Sequence, residues 1–284
     1  MNGGTVVLSK ANRDDETIRG FGLEWNAYDQ TKLTGHAFQR AFDTYFELMN
    51  FDHLPQDAEG FDLGCGSGRW AAAVAPRVKL LHCIDPSEAA LDVARRRLSG
   101  FENVRLHLAS SDEIPLEDAS QDFGYSLGVL HHIPDTGRAL WDCVRKLKPG
   151  APFLLYIYYA LENRPPWYRA MWRASEAARY VIARSPFAVR RALATAIAGA
   201  VYWPLARTAL AAEALGADVT HFPLSIYRFH SFYTMRTDAL DRFGTRLEQR
   251  FTRAEIKDMM EAAGLADIRF GDRHPFWIAC GRRS

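Results

Sequence analysis

The stretch Gly60–Gly68, with the sequence GFDLGCGSG, decides the fold that we predict for this chain. It opens with a short apolar run that predicts a buried β-strand, and three alternating glycines follow at once. Glycine lacks a Cβ, so it allows a sharp turn and lets a ligand come close to the backbone. A helical pattern through Trp70–Val74 comes next, and a helix N-terminus favours negative charge. The stretch therefore predicts a strand, a ligand-binding turn and a helix.

Strands and helices continue to alternate after this turn. Further strands are predicted at LLHCID (80–85), VRLHLA (104–109), DFGYSLGV (122–129) and PFLLYIYY (152–159). The intervening helices include EAALDVARRRL, with Ser87 as its N-cap, and residues 135–147. A helix capped by Thr252 and ended by Gly264 precedes two last strands, ADIRFGD and PFWIACGR. This order predicts an α/β protein with a doubly wound, mostly parallel seven-stranded sheet and an antiparallel edge strand.

Four regions follow from these patterns. They are an N-terminal lid and helix (1–57), an α/β core (58–160), a helical cap insertion (161–245), and a C-terminal helix with two strands that complete the sheet (246–284). The chain has 35 basic and 34 acidic residues among 284, and this balance argues against a nucleic-acid-binding protein. Its four cysteines are widely spaced, so we expect no disulfide framework, no metal site and a cytoplasmic location.

Carboxylates after successive strands narrow the choice of ligand. Alone, the glycine turn also fits a dinucleotide, since Gly66-x-Gly68-x-x-Ala71 matches the GxGxxA pattern. Asp85 ends the second strand, where a carboxylate can bind a ribose diol in either case. Asp112 follows the third strand, and an additional acid there suits the amino group of an adenine ring. A nicotinamide-dependent dehydrogenase is therefore the weaker alternative.

Five motifs in order carry a resemblance to a known family. They are DLGCGSG, CIDPS, SSDEIPLEDASQD, SLGVLHHIPD and VRKLKPG. The set resembles class I methyltransferases of the small-molecule type, which use S-adenosylmethionine (SAM) as cofactor and release S-adenosylhomocysteine. The resemblance covers residues 58–158, and FTRAEIKDMMEAAGL with its two strands matches the usual ending of the family. The cap is loosely similar to that of members that modify sugars and surface polysaccharides.

The resemblance implies a set of cofactor-binding residues. Glycines of the turn would line the methionyl part of SAM, Asp85 would hold the ribose hydroxyls, and Asp112 would contact the adenine amino group. The implied set is completed by neighbouring residues of the turn and the strand ends, and comprises Gly64, Cys65, Gly66, Gly68, Asp85, Pro86, Asp112, Glu113 and Leu127.

The leader segment GFGLEWNAY (20–28) places a glycine between large aromatic residues, outside any obvious periodicity. One interpretation is a lid in which Trp25 and Tyr28 shield the cofactor's sulfonium, because aromatic faces stabilise positive charge. The other is a hydrophobic contact that packs the first helix onto the sheet.

Two adjacent histidines follow the fourth strand. His131 and His132 lie where open α/β sheets bind their ligands, and histidine can accept a hydroxyl proton near neutral pH. We predict His132, and secondarily His131, as the catalytic base. The alternative is that one or both only pack or hydrogen-bond within the fold.

The cap supplies the candidate substrate residues. Its aromatic tail HFPLSIYRFHSFYTM contains Tyr227, Arg228, His230 and Tyr233, which could line a polar pocket, with Arg228 binding a phosphate or carboxylate. Aromatic packing within the cap is the competing interpretation. The apolar run 192–206 is too short to span a bilayer, so we expect peripheral membrane contact at most.

These observations favour a SAM-dependent methyltransferase acting on a small polar acceptor, with a sugar hydroxyl as one candidate. Methylation of a quinone or other lipid is the second hypothesis, and a non-catalytic SAM-binding protein is the third. We expect a small-molecule acceptor, no nucleic acid partner, and a monomer or homodimer.

Overall fold

The computed structural model describes residues 11–28, 35–273 and 277–284. Its centre is a seven-stranded sheet with the order β3-β2-β1-β4-β5-β7-β6. The strands are β1 Glu59–Leu63, β2 Leu80–Asp85, β3 Val104–Leu108, β4 Phe123–Leu127, β5 Pro152–Tyr156, β6 Leu265–Phe270 and β7 Ile278–Arg283. The first five pair in parallel, whereas β7 is antiparallel to both β5 and β6. The predicted fold class is confirmed, with β7 as the reversed strand and β6 at the edge.

The helices are α1 Asp15–Ala27, α2 Gly35–Tyr45, α3 Ala71–Val74, α4 Glu88–Arg97, α5 Thr136–Val144, α6 Pro166–Ile182, α7 Phe187–Ile197, α8 Trp203–Ala214, α9 Phe232–Gly244 and α10 Arg253–Ala262. Local sequence explains several of their starts, because short polar side chains satisfy backbone N–H groups that a helix leaves unpaired. Ser87 caps α4, Asp135 caps α5, and Thr252 forms a capping box with Glu255 on α10.

The sheet separates two apolar clusters, and β5 shows how. Phe153 and Leu155 belong to one cluster, while Leu154 and Tyr156 belong to the other. This alternation follows from the two-residue period of a strand, whose successive side chains point to opposite faces. Both faces are covered by helices, so the carboxyl ends of the parallel strands remain as the place for a ligand.

A third apolar cluster lies among the helices of the cap, residues 161–245. It joins α6, α7 and α9, and includes the π-helical turn Ala198–Tyr202 that leads from α7 into α8. Tyr28, the first residue after α1, is buried in the same cluster. The N-terminal segment is thereby packed against the cap.

The leader segment is helical, whereas its sequence suggested an irregular lid. Residues up to Ala27 are helical, and α1 packs against both α4 and α9. Gly22 is the reason for the unusual sequence, since a Cβ at this position would lie 2.5 Å from Ser87 Oγ. A glycine within the helix thus permits a close approach to α4.

Candidate functional site

The glycine turn joins β1 to α3 and leaves no room for side chains. Gly64, Gly66 and Gly68 all have positive φ, at 78°, 51° and 70°. A Cβ on Gly64 would lie 2.3 Å from Val129, and one on Gly66 would lie 2.9 Å from the Trp25 ring. The turn is therefore a bare backbone surface, and Trp25 of α1 lies against it. The lid hypothesis predicted that the rings of Trp25 and Tyr28 shield the cofactor, and the Trp25 ring does lie against the turn.

Asp85 stands at the end of β2 and holds this turn in shape. Its Oδ2 accepts a hydrogen bond from Gly66 N at 2.9 Å, and its Oδ1 accepts one from Ser87 N at 2.9 Å. Burial raises the pKa of Asp85 to about 6, although these two hydrogen bonds oppose the shift. Each oxygen keeps a second lone pair, so the carboxylate can still accept hydrogen bonds from a ligand's hydroxyl groups.

Asp112 lies in a short 3-10 helix after β3. Its Oδ1 accepts a hydrogen bond from Ser110 Oγ at 2.6 Å, and its Oδ2 accepts one from Asn12 N at 3.0 Å. Partial burial opposes the shift, but these hydrogen bonds lower the pKa of Asp112. The next residue, Glu113, is exposed, and Leu127 is half-buried at the end of β4. The predicted adenine contacts therefore lie at the same edge of the sheet as Asp85.

Two buried side chains, Cys65 and Asp62, lie at the glycine turn. Contact with Cys83 and burial raise the pKa of the Cys65 thiol, so Cys65 is inert and serves packing. Burial raises the pKa of Asp62 to about 8, and its Oδ2 has no hydrogen-bond partner in the described part of the chain. The interaction with Tyr125 opposes this shift, and the raised pKa favours the protonated form of Asp62.

The two histidines lie in a 3-10 turn after β4 and have different surroundings. His131 is fully buried, stacks on Tyr158 with 3.9 Å between ring centroids, and has no hydrogen-bond partner for either ring nitrogen among the described residues. Burial, with His132 and Arg250 nearby, lowers its pKa well below the usual value. His131 is therefore neutral and packed.

His132 differs from His131 in the contacts of its two ring nitrogens. Its Nδ1 lies 2.7 Å from the carbonyl oxygen of Leu247, and since a carbonyl can only accept, Nδ1 carries the proton. Its Nε2 is then an acceptor, and it is buried without a partner among the described residues. The ring also contacts Phe21 of α1, at 4.8 Å between centroids.

The sequence analysis missed an acidic cluster that α9 brings to the same place. Tyr158 donates a hydrogen bond to Asp241, and burial raises the pKa of Asp241. Burial and the neighbouring Asp241 raise the pKa of Asp238 to about 7, and they raise that of Glu24 of α1 in the same direction. Asp238 and Asp241 are half-buried, and the contacts of Asp241 with Tyr158 and His132 place this acidic cluster at the ends of β4 and β5.

The four residues predicted to bind the substrate do not come together at this acidic cluster. Arg228 forms a two-pronged ion pair with Glu213, at 2.7 and 2.9 Å, so it is held within the cap and its assignment as an anion ligand is corrected. Tyr227 interacts with Asp238, whereas His230 is exposed. Tyr233 packs edge-on against Tyr28 at 6.0 Å, which places Tyr28 beside cap residues.

The strand order, the bare glycine turn and the carboxylates at two strand ends define a Rossmann-like fold of the class I methyltransferase type. Residues 61–155 match the family model of a methyltransferase domain. S-adenosylmethionine is the cofactor of this class, and the match covers the glycine turn, Asp85, Asp112 and His132. Residues 61–155 therefore form a class I, SAM-dependent methyltransferase domain, whereas α1 and the cap lie outside the matched range.

Individual relatives are similar over the same limited extent. An uncharacterized methyltransferase of Bacillus subtilis is 32% identical over 104 residues, or 36% of this chain and 41% of that protein. The ubiquinone biosynthesis O-methyltransferase of Saccharophagus degradans is 31% identical over 127 residues, or 44% of this chain and 51% of that protein. The chain thus spans about half or less of these curated relatives.

A solved structure extends the likeness in fold beyond the matched range. A SAM-dependent methyltransferase from Thermotoga maritima superposes with a TM-score of 0.51 at 17% identity. The superposition covers 94% of this chain and 100% of that chain. Identity at this level shows the fold alone.

Proposed function

We propose that this chain is a SAM-dependent methyltransferase that methylates a hydroxyl group of a small polar acceptor bound between α9 and the strand ends. The observation that carries the proposal is the buried Nε2 of His132, which lies near Asp241 and has no hydrogen-bond partner among the described residues. A base in this position is needed for a hydroxyl acceptor, whose proton must leave when the oxygen is methylated.

The residues at the strand ends fit the cofactor. A Cβ on Gly64 would collide with Val129 and one on Gly66 would collide with Trp25, so the turn requires glycine, and it lies beside the buried carboxylate of Asp85. When bound, SAM supplies a methyl group activated by its sulfonium. The Asp85 carboxylate would hold ribose hydroxyls, and Asp112 would hold the adenine amino group. Trp25 would shield the cofactor from water, because its ring already covers the turn.

His132 would take the acceptor's proton. Leu247 fixes the tautomer by accepting the Nδ1 proton, which leaves Nε2 free to accept another. The neighbouring Asp241 stabilises the imidazolium that forms, since opposite charges nearby favour the charged form. This arrangement of a base and an orienting carbonyl also keeps the ring in a fixed position.

The proposed class of acceptor follows from the residues around Asp241. Carboxylates of Asp238 and Asp241 accept hydrogen bonds from hydroxyl groups, and the Tyr227 ring lies beside Asp238. A sugar combines several hydroxyl groups with an apolar ring face, so it suits these residues. The carboxylates disfavour an anionic acceptor such as a nucleotide sugar.

A quinone is the second candidate. Its support is the similarity to a ubiquinone biosynthesis O-methyltransferase over part of the chain, together with the apolar helices of the cap. A quinol hydroxyl would need the same base, His132, so the two candidates differ in acceptor and share the chemistry.

Label transfer from SAM with an isotopically marked methyl group would test both candidates. The purified protein is incubated with a panel of neutral sugars and, separately, with demethylated quinols, and products are identified by mass spectrometry. We expect label on a sugar oxygen, and label on the quinol alone would favour the second candidate. Binding of SAM with no transfer to either panel would support the non-catalytic hypothesis, and tight binding of NAD in place of SAM would contradict the proposal.

A further inference from the structure

The cap exposes most of the large apolar side chains found on the surface of the described residues. Only Leu108 and Trp141 among them lie outside the cap. Those within it are Trp167, Met171, Tyr180, Val181, Val189, Leu193, Val201, Trp203, Leu215, Ile226, Phe229 and Phe232. An apolar surface this concentrated is typical of an interaction site, whereas scattered exposed residues are ordinary.

Helix α6 carries a continuous apolar stripe on its outer face. Its exposed residues follow a spacing of four and three, which places them in one row along a helix: Trp167, Met171, Ala174, Ala178 and Val181. The opposite face packs inward, where Ile182 is buried and Arg179 donates a hydrogen bond to the carbonyl of Thr245 at 2.8 Å. The stripe is therefore the face of α6 that points away from α9.

A second stripe runs along α7 and through the π-helical turn into α8. It has the same spacing and consists of Val189, Leu193, Ala196, Ala200 and Trp203, all exposed. The inner face of this segment is buried at Ala194, Ala198 and Tyr202. Two consecutive helical segments of the cap thus present apolar rows to their surroundings.

The charge beside the stripes is positive. Residues 164–207 contain eight arginines and a single acid, Glu176, which is paired with Arg179 and Arg242. Arg173, Arg184 and Arg191 are exposed. An occupant of this surface must therefore be anionic as well as apolar.

A cavity opens next to the α7 stripe. It has a volume of about 420 Å³ and is lined by Tyr28, Ala188, Arg191, Ala192, Thr195 and Arg236. The Arg236 guanidinium lies 4.6 Å from the centre of the Tyr28 ring, and its buried Nε has no hydrogen-bond partner among the described residues. Two guanidinium groups around one cavity are a suitable site for a phosphodiester.

We propose that the outer face of α6, α7 and α8 docks onto the surface of an anionic phospholipid bilayer, with a lipid phosphate in the cavity between Arg191 and Arg236. Apolar rows that include tryptophan and are bordered by arginines match the boundary between acyl chains and headgroups. A second copy of the chain is a poorer occupant, because it would bring arginines against arginines. The described residues contain no helix that could cross a bilayer, so the contact is confined to the surface.

Vesicle flotation tests this proposal. The wild-type protein should float with phosphatidylglycerol–phosphatidylcholine vesicles and at least about tenfold less with phosphatidylcholine alone. Leu193→Asp should lower binding at least about tenfold, because a carboxylate replaces an inserted side chain and repels anionic lipid. Arg191→Gln should lower it about fivefold, which corresponds to roughly 1 kcal/mol per arginine near the surface.

Leu108→Asp is the matched control, because Leu108 is 59% exposed against 41% for Leu193 but lies on β3. It should leave flotation unchanged, and circular dichroism checks that each variant is folded. Absence of flotation by the wild type, or an equal loss in both leucine variants, would overturn the proposal. So would a wild-type dimer that Leu193→Asp dissociates, which would make the face a self-association surface. Displacement by inorganic phosphate but not by chloride of equal ionic strength would assign the cavity to free phosphate instead.

Discussion

Replacing Asp85 by asparagine separates its two tasks. The carboxylate shapes the glycine turn through Gly66 and Ser87, and in the proposed function it also binds the cofactor's ribose. Asparagine has nearly the same shape but only one acceptor oxygen, so one charge-assisted hydrogen bond to a ribose hydroxyl is lost. Such a bond contributes about 1.5–3 kcal/mol, which predicts SAM binding about 10- to 150-fold weaker.

Folding should change much less, because two effects oppose each other. Burial raises the pKa of Asp85 from 3.8 to about 6, so keeping it charged at pH 7 costs roughly 3 kcal/mol. Asparagine removes this cost but leaves one backbone N–H without an acceptor, at about 1–3 kcal/mol. We therefore expect the free energy of unfolding to stay within about 2 kcal/mol of the wild type. Alanine would leave both N–H groups unpaired, which makes asparagine the sharper variant.

Calorimetry with SAM and thermal melting followed by circular dichroism are the assays. Asp92→Asn is the control, since Asp92 is an exposed carboxylate of α4 paired with Arg95. Protonation near pH 6 removes the charge of Asp85, so wild-type affinity should fall as the pH is lowered through 6, and Asp85→Asn should lack this dependence. The same raised pKa means that Asp85 contributes more to stability as the pH falls from about 6 toward 4. Unchanged SAM affinity in Asp85→Asn would refute its assignment to the cofactor.

Three further variants test other parts of the site. Gly66→Ala should weaken SAM binding about tenfold, because φ is 51° and the new Cβ meets Trp25, and calorimetry would show it. Gly216→Ala is its control, with a positive φ but nothing near the added Cβ, so normal SAM binding by both variants would contradict this role of the turn. His132→Asn should lower turnover by on the order of 10²–10⁴-fold in the label-transfer assay, with SAM affinity unchanged, and unaltered turnover would exclude it as the base. Asp241→Asn should raise the KM for the acceptor about tenfold or more and leave the Kd for SAM unchanged, and the reverse pattern would place Asp241 on the cofactor.

The cofactor side of the site could be predicted because its signals are local. The apolar run, the glycines and the acid at the end of β2 each follow from a few consecutive residues, and parallel pairing brings the strand ends together. The N-cap at Ser87 is likewise a local signal that the structure confirms. The ribose and adenine roles of Asp85 and Asp112 stay predictions.

The acceptor side could not be predicted, because it depends on contacts between distant segments. Asp238 and Asp241 look like the solvated face of an amphipathic helix, and the packing of α9 in the folded chain partly buries them. Arg228 has an acidic partner 15 residues away on α8, which no local pattern indicates. Gly22 suggests an irregular segment until the contact with Ser87 explains it.

The difference between the cofactor side and the acceptor side of the site also limits what similarity to relatives can show about this chain. Residues 61–155, which match the methyltransferase domain, include the glycine turn, Asp85 and His132, so similarity there concerns the cofactor and the residue that we propose as the base. Glu24 lies on α1 and Asp241 lies on α9, both outside that range, and both belong to the acidic cluster near which the acceptor is proposed to bind. A relative that shares only the matched range therefore need not share the acceptor. The cap and α1 are the segments in which specificity must be sought.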